Sequence, residues 1–397
     1  MLAVLDFSDA RKWQLTAYEC FKENGYRGIV EVATGGGKTI FALMCFAELF
    51  KQGSLKKILV VVPTVALADQ WLVNFEIDLE LSSDETAMLT STSTADDLRT
   101  ANVVVVNSAR KLDIPDTEKQ EIFFVVDECH RAGSEKNALA LGGSWGATLG
   151  LSATPDRQYD DGSIRHLFPT LGKKIYSYSV AEALRDGVLS PFDLYNVEIP
   201  LLPEERNEYE KISKQIGIAM GRGSDDEQIQ MLLRRRSRLC NSAEYRIPVT
   251  VRIMNDNRGS RTLIFHESID SAVAIHGILK EQNHSVALYH SRLSASVRRE
   301  NLKMFRLGLI DVLVTCRALD EGANIPETCL AVVAAATASQ RQRIQRLGRV
   351  LRPSPGKERA VIYTLYATEV ERRRLLEEQK SLEEYVSVNW RRISDGQ

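Results

Sequence analysis

Paired cysteines are missing from this sequence. Its six cysteines (20, 45, 129, 240, 316 and 329) are scattered without a single CxxC pair. That spacing argues against a disulfide framework and a thiolate zinc site, and leaves reduced thiols. Long apolar runs are missing too. The longest, ILVVV at 58–62 and LAVVAAATA at 330–338, fall well short of the roughly 20 residues a membrane helix needs. No secretion signal opens the chain, so a cytoplasmic protein with no membrane partner is expected. Low-complexity tracts and short-period repeats are absent, which argues against a disordered tail or a solenoid. Nor does one sign of charge dominate: 51 Lys and Arg stand against 53 Asp and Glu, a net charge of −2. A protein that grips polyanions by bulk basicity is excluded, although a local groove can still be positive.

What is present is unevenly distributed. Residues 1–190 hold 19 Lys and Arg against 26 Asp and Glu, and the remainder hold 32 against 27. Apolar β-type runs alternate with helical stretches: GIVEVAT (28–34), KKILVVVP (56–63), ANVVVVN (101–107), EIFFVVD (121–127) and ATLGLSA (147–153). Near-continuous Val, Ile and Leu between helices is the pattern of parallel strands buried on both faces. The rhythm restarts with RTLIFH (261–266), SVALYH (285–290), IDVLVT (310–315), CLAVVAA (329–335) and RAVIYTL (359–365). Two α/β lobes in tandem are therefore expected, over 1–190 and 259–368. A linker and charged helices fill 191–258, and a charged helix and tail, a surface brace or partner contact, fill 369–397.

Two motifs carry chemistry. VATGGGKT (32–39) follows a buried strand and precedes a helix. Thr34, Gly35, Gly36 and Gly37 let backbone N–H groups turn around phosphate oxygens, Lys38 reaches the outer phosphates, and the Thr39 hydroxyl is offered to Mg²⁺. The strict phosphate-loop pattern is not met, since Val32 stands where its first glycine would be. FVVDECHRAG (124–133) ends another buried strand in two adjacent carboxylates, which repel unless a cation lies between them and a nucleotide. Asp127 is the candidate metal ligand, and Glu128 the residue that polarises the attacking water. His130 falls between the nucleotide and the next strand, which ends in LSATPDR (151–157).

With VATGGGKT, DECH, SAT and QRLGR in this order, the chain resembles a superfamily 2 helicase or translocase of the DEAD/DEAH type. It is most similar to the compact XPB-like branch, through DEGANIP (320–326) and SQRQRIQRLGRVLRPSPGK (339–357). The resemblance runs from Arg11 to about Leu365. It implies two RecA-like parallel-sheet lobes with a helical, thumb-like insertion between them, ATP as substrate and Mg²⁺ as its companion ion.

The resemblance also assigns the remaining positions. Arg11, Trp13 and Gln14 would form the adenine-recognising segment, with Gln14 reading the base edge. Pro63, Thr64, Asn107 and Ser108 in the first lobe would contact the nucleic-acid backbone. Phe265–His266, His290, Ser291 and Thr315 would do so in the second. Ser152 and Thr154, with His130, would couple the nucleotide to nucleic acid. Gln345 and Arg346 would brace the cleft while Arg349 and Arg352 act as arginine fingers. The four arginines of MLLRRRSRLC (231–240) would touch nucleic acid as the family's thumb does, or form a solvated helix face, and both stay open at this point. Two departures stand out: Asn324 replaces the carboxylate expected near the sugar, and Arg157-Gln158-Tyr159 replaces the branch's Arg-Glu-Asp, so translocation is expected ahead of duplex unwinding. The adenine segment begins by Arg11, so the damage-recognition domain of larger relatives is not expected. The implied activity is an ATP-dependent DNA helicase or translocase, acting as a monomer in repair or genome defence beside a nuclease partner. An RNA helicase, or an ATP-gated clamp that does not move, stays open at this point.

Overall fold

The computed structural model describes residues 5, 7–152, 163–189, 192–222, 226–316, 328–335, 359–380 and 386–392. Its first unit is built on β1 (Arg27–Val32), β2 (Lys57–Val62), β3 (Thr86–Leu89), β4 (Ala101–Val105), β5 (Ile122–Val126), β6 (Ala147–Ser152) and β7 (Lys174–Tyr178). The order across the sheet is β3-β4-β2-β5-β6-β1-β7, with every pairing parallel. Parallel strands need crossovers that cover both faces, which is why β5 is buried at every residue. Alternate residues serve opposite cores: Val30, Ile58, Val60 and Val125 face one, and Ile29, Leu59, Val61 and Phe124 the other.

Three helices of this unit bear on the site: α1 (Lys12–Glu23), α2 (Lys38–Lys51) and α3 (Val65–Asp78). The helix α3 starts at Thr64, whose hydroxyl accepts from the Leu67 N–H at 3.3 Å. All nine residues from Leu67 to Phe75 are buried, so this helix is sealed on every side.

The second unit carries β8 (Phe192–Glu198), β9 (Thr262–His266), β10 (Val286–Tyr289), β11 (Val312–Cys316), β12 (Leu330–Val333), β13 (Ala360–Tyr366) and β14 (Val386–Arg392). Their order is β10-β11-β9-β12-β13-β8-β14, again parallel throughout. Two parallel sheets in tandem are the expected α/β class. Among the described residues, β8 and β14 come from stretches read as linker and tail, and both belong to the second sheet. Between β8 and β9 lies the helical insertion, Pro203–Gly221, Asp226–Asn241 and Arg246–Asp256. Its first two helices pack through Ile212, Ile216, Ala219 and Leu232.

Arg246 fastens the insertion to the second sheet. Its guanidinium is 1% exposed. It donates to the carbonyls of Cys240 (2.7 Å), Ala334 (2.5 Å) and Leu365 (3.0 Å), and to Glu371 Oε1 (2.8 Å). The other Glu371 oxygen accepts from the Ala367 N–H at 2.9 Å and the Thr368 hydroxyl at 3.3 Å.

Candidate active site

In a parallel sheet, ligands gather at the carboxyl ends of the strands. There β1 runs into the glycine loop and then α2. Gly35 and Gly37 hold φ of 82° and 101°, where a side chain is strained. At Gly36, a Cβ would lie 2.4 Å from Val32 Cγ1. The α1 segment grips this loop from behind. Arg11 Nη1 and Trp13 Nε1 donate to the Gly36 carbonyl at 2.7 and 3.2 Å, and Gln14 Nε2 to the Gly37 carbonyl at 3.3 Å. The Gln14 Oε1 accepts from the Arg11 N–H at 2.9 Å. The structure thus places Arg11, Trp13 and Gln14 on the phosphate-loop backbone. The unpaired N–H groups at the start of α2 remain to meet an anion.

Lys38 and Glu128 come together across the end of the sheet, with Nζ 3.0 Å from Oε1 and both side chains buried. The other Glu128 oxygen is 3.5 Å from His130 Nδ1, which is 3.4 Å from the Ser152 hydroxyl at the end of β6. Ser152, His130, Glu128 and Lys38 therefore form one continuous chain. Asp127 caps β5: its Oδ1 accepts the Glu128 N–H at 2.9 Å and its Oδ2 the Trp71 indole N–H at 3.0 Å. Glu128 adopts φ 48°, ψ 46°, a left-handed conformation that costs a non-glycine residue of order 1–3 kcal/mol and clusters at functional sites.

Electrostatics separates the two carboxylates. Burial, with the adjacent Glu128 charge adding to it against Lys38, pushes Asp127 up to about 6. Burial also opposes the Glu128 charge, but Lys38, His130 and Arg131 outweigh it and hold that carboxyl below its usual range. Burial raises the Cys129 thiol well above the thiol range, so this cysteine is inert. Among the described residues, no three His, Cys, Asp or Glu side chains gather as a metal site. An octahedral ion held by one carboxylate, a hydroxyl, phosphates and water needs no such group. Asp127 and the buried Thr39 fit that donor set, because each Asp127 oxygen spends only one acceptor position on the protein.

The first-lobe residues expected on nucleic acid sit beside this cluster. Pro63 and Thr64 follow β2, and Asn107 and Ser108 follow its neighbour β4. Pro63, Val106, Asp127, Glu128 and Arg131 line one narrow crevice. In the second unit the expected contacts end β9, β10 and β11, three adjacent strands, but most of their side chains are closed off. His266 Nδ1 accepts the Ser268 N–H at 3.0 Å and His290 Nδ1 the Arg292 N–H at 3.2 Å. Thr315 is fully buried. Ser291 alone of these four is exposed. Ser291 is thus the accessible side chain of the four, and the Nδ1 atoms of His266 and His290 are already taken by their own loops. Thr154, Asn324, Gln345, Arg346, Arg349 and Arg352 lie outside the described residues. Sequence reasoning gives Trp71 and Arg246 no role; the one signal for Trp71 is its place in VVPTVALADQW, seven residues after Thr64.

Comparison with known proteins agrees with this geometry. The family model described as "Type III restriction enzyme, res subunit" matches residues 8–157, and "Helicase conserved C-terminal domain" matches residues 245–354. The chain belongs to the superfamily 2 helicases, a family of ATP-hydrolysing enzymes. Within it, relatives bear XPB-type names. The "DNA 3'-5' translocase XPB2" of Sulfurisphaera tokodaii is 26% identical, over 88% of this chain and 80% of that protein. The "Putative DNA 3'-5' helicase Rad25" of Haloarcula marismortui is 27% identical over 90% of this chain. The "DNA 3'-5' helicase XPB" of Mycobacterium tuberculosis is 22% identical over 89%. The chain spans only 53% and 61% of those last two. In fold it resembles "S. cerevisiae Dbp5 bound to RNA and ADP BeF3", with TM-score 0.60 and 16% identity over 96% of this chain and 89% of that one.

Proposed function

We propose that this protein is an ATP-dependent DNA translocase that couples hydrolysis to movement on DNA or to its remodelling. The observation that carries the reading is the chain Lys38–Glu128–His130–Ser152, buried at every member but the partly exposed His130, beside Asp127 at the carboxyl edge of a parallel sheet. Lys38 has three donors and spends one on Glu128, leaving two for the outer phosphates. Glu128, held ionised by Lys38, accepts a proton from the attacking water while His130 fixes its second oxygen. Thr39 and Asp127 would hold Mg²⁺, which supplies charge neutralisation between the outer phosphates when bound. Arg349 and Arg352 are assigned to the transferring phosphoryl group, with Gln345 and Arg346 beside them and Asn324 toward the sugar. Each planar fork would meet developing charge that a lysine could not match. Thr154 joins Ser152 in coupling.

DNA ranks ahead of RNA because the XPB-type relatives are named for DNA. Pro63, Thr64, Asn107, Ser108 and Ser291 would grip the backbone without reading sequence, through amides and small hydroxyls. A nuclease partner in repair or defence belongs to the same proposal. The test is ATPase rate with single-stranded DNA, duplex DNA, RNA and no polymer side by side, together with triplex displacement on duplex DNA. Stimulation by DNA with displacement is expected. ATP-dependent affinity with no displacement would make it a clamp, and stimulation by RNA alone would replace the DNA reading.

A further inference from the structure

Each buried indole must place its single N–H donor. Trp145 and Trp13 donate to backbone carbonyls, those of Leu141 and Gly36, both at 3.2 Å. Trp71 instead donates to a carboxylate, Asp127 Oδ2, at 3.0 Å, with 1% and 4% of the two residues exposed. Asp127 is otherwise held by its own loop, through the Glu128 N–H, and by β2, since its N–H donates to the Val61 carbonyl at 2.9 Å. The indole reaches it from a helix. That helix is α3, begun by Thr64 and buried on all sides over Leu67–Phe75. The seven residues from Thr64 to Trp71 span about 10 Å at 1.5 Å per residue, two rigid turns.

We propose that Trp71 is a positioning residue for divalent-cation binding: its indole N–H fixes the Asp127 carboxylate and ties it to α3, so that a load on Thr64 reaches the carboxylate. The inference rests on the ATP-dependent reading above. One oxygen of Asp127 is directed by Trp71 and the other by its own backbone neighbour, so the remaining acceptor positions keep one orientation. Without the indole, Oδ2 gives up its side-chain donor in a buried setting, and the carboxylate is free to turn about its side-chain torsion. A residue that holds another in a productive geometry acts through that geometry, so the effect should appear in cation dependence and not in nucleotide affinity as such.

The test is binding of a fluorescent non-hydrolysable ATP analogue to the full chain during Mg²⁺ titration. Trp71→Phe should weaken the apparent Mg²⁺ affinity roughly tenfold, the order expected for one hydrogen bond to a charged group, with Mg²⁺-free analogue affinity within about twofold of the parent. Trp71→His places an N–H at the equivalent position of a five-membered ring and should recover most of the loss. A parental Mg²⁺ curve for Trp71→Phe, equal defects in both variants, or an equal fall in Mg²⁺-free affinity would each overturn the assignment. If Trp71→Phe does not fold, the indole N–H resonance of Trp71 is followed in ¹⁵N-labelled parent protein. Replacing the other three tryptophans in turn assigns it. It should move when Mg²⁺ is added to nucleotide-loaded protein, and a stationary resonance overturns the proposal. Absence of any Mg²⁺-dependent tightening in the parent would instead refute the ATP-dependent reading itself.

Discussion

Among the described residues, each unit of this protein holds a buried ion pair, and the two are built differently. Lys38–Glu128 in the first unit closes at 3.0 Å with side chains 9% and 7% exposed; Arg246–Glu371 in the second closes at 2.8 Å with 1% and 10%. Burial does not distinguish them. Residual valence does. Arg246 also satisfies three backbone carbonyls, and the second oxygen of Glu371 is taken by Ala367 and Thr368. Lys38 spends one of its three donors, on Glu128, and Glu128 sits on a left-handed backbone. A buried pair whose cation has four of five donors spent is a fastening, whereas one whose cation keeps two of three is poised to take a ligand.

The largest expected effect is on turnover at the unspent pair. Glu128→Gln should lower ATPase by about 10²- to 10⁴-fold while ATP still binds, because the base is lost and the shape kept. Lys38→Ala should weaken ATP binding itself. Fluorescent-nucleotide binding and steady-state ATPase separate the two outcomes, and parental turnover by Glu128→Gln would remove Glu128 from the chemistry.

The spent pair predicts the opposite phenotype. Glu371→Gln removes one partner of a guanidinium that cannot deprotonate, which should cost roughly 3–5 kcal/mol in urea unfolding of the second unit. Glu128→Gln should cost less, because an ammonium can take water or release its proton. Equal costs would erase the distinction.

How much of this is legible in the sequence follows from the same contrast. The glycine loop, Lys38, Asp127 and Glu128 are readable because phosphate and metal chemistry demands those residue types at a strand's end. Strands such as IFFVV of β5 announce themselves by continuous apolar content. β8 does not, because FDLYNVE interleaves Asp193 and Asn196, although it is an interior strand. β3, β7 and β14 lie at sheet edges, where burial no longer imposes an apolar run. Arg246 cannot be found in RIPVTV, since two of its carbonyl partners lie 88 and 119 residues away. Trp71 reads as ordinary helix core until its N–H is traced to Asp127. Motif position leads the second-unit histidines correctly to the strand ends, but position alone carries no information about which way a ring nitrogen is satisfied.

One of those histidines sharpens the comparison by pH. Burial, with the nearby Arg246 charge adding to it, holds His266 down to about 3, against about 6.5 in an unfolded chain. The unfolded state therefore binds more protons between those values, and stability falls as pH drops below about 6.5. At pH 5 the loss from this residue should be on the order of 2 kcal/mol, at 1.4 kcal/mol per pH unit. His266→Asn should flatten the melting-temperature profile between pH 6.5 and 4, and a profile as steep as the parent's would place the acid sensitivity elsewhere.

The smallest effect concerns the insertion that Arg246 fastens. The four arginines of MLLRRRSRLC do not act as a block. Arg235 pairs with Glu208, while Arg236 donates to the Ser213 hydroxyl at 3.4 Å and lies over the Tyr209 ring at 5.8 Å. Arg234 and Arg238, four residues apart on one helical face, are exposed. Replacing Arg234 and Arg238 with Ala should therefore reduce the slope of log K against log salt on duplex DNA, by about 0.9 for each phosphate that is no longer neutralised. Replacing Arg235 and Arg236 should leave the slope near the parent's and loosen the helix pair instead, lowering the melting temperature. The reverse result would mean that Arg235 and Arg236 exchange Glu208 and Tyr209 for phosphate when DNA binds. The insertion would then resemble the unspent pair of the first unit more than the fastening that anchors it.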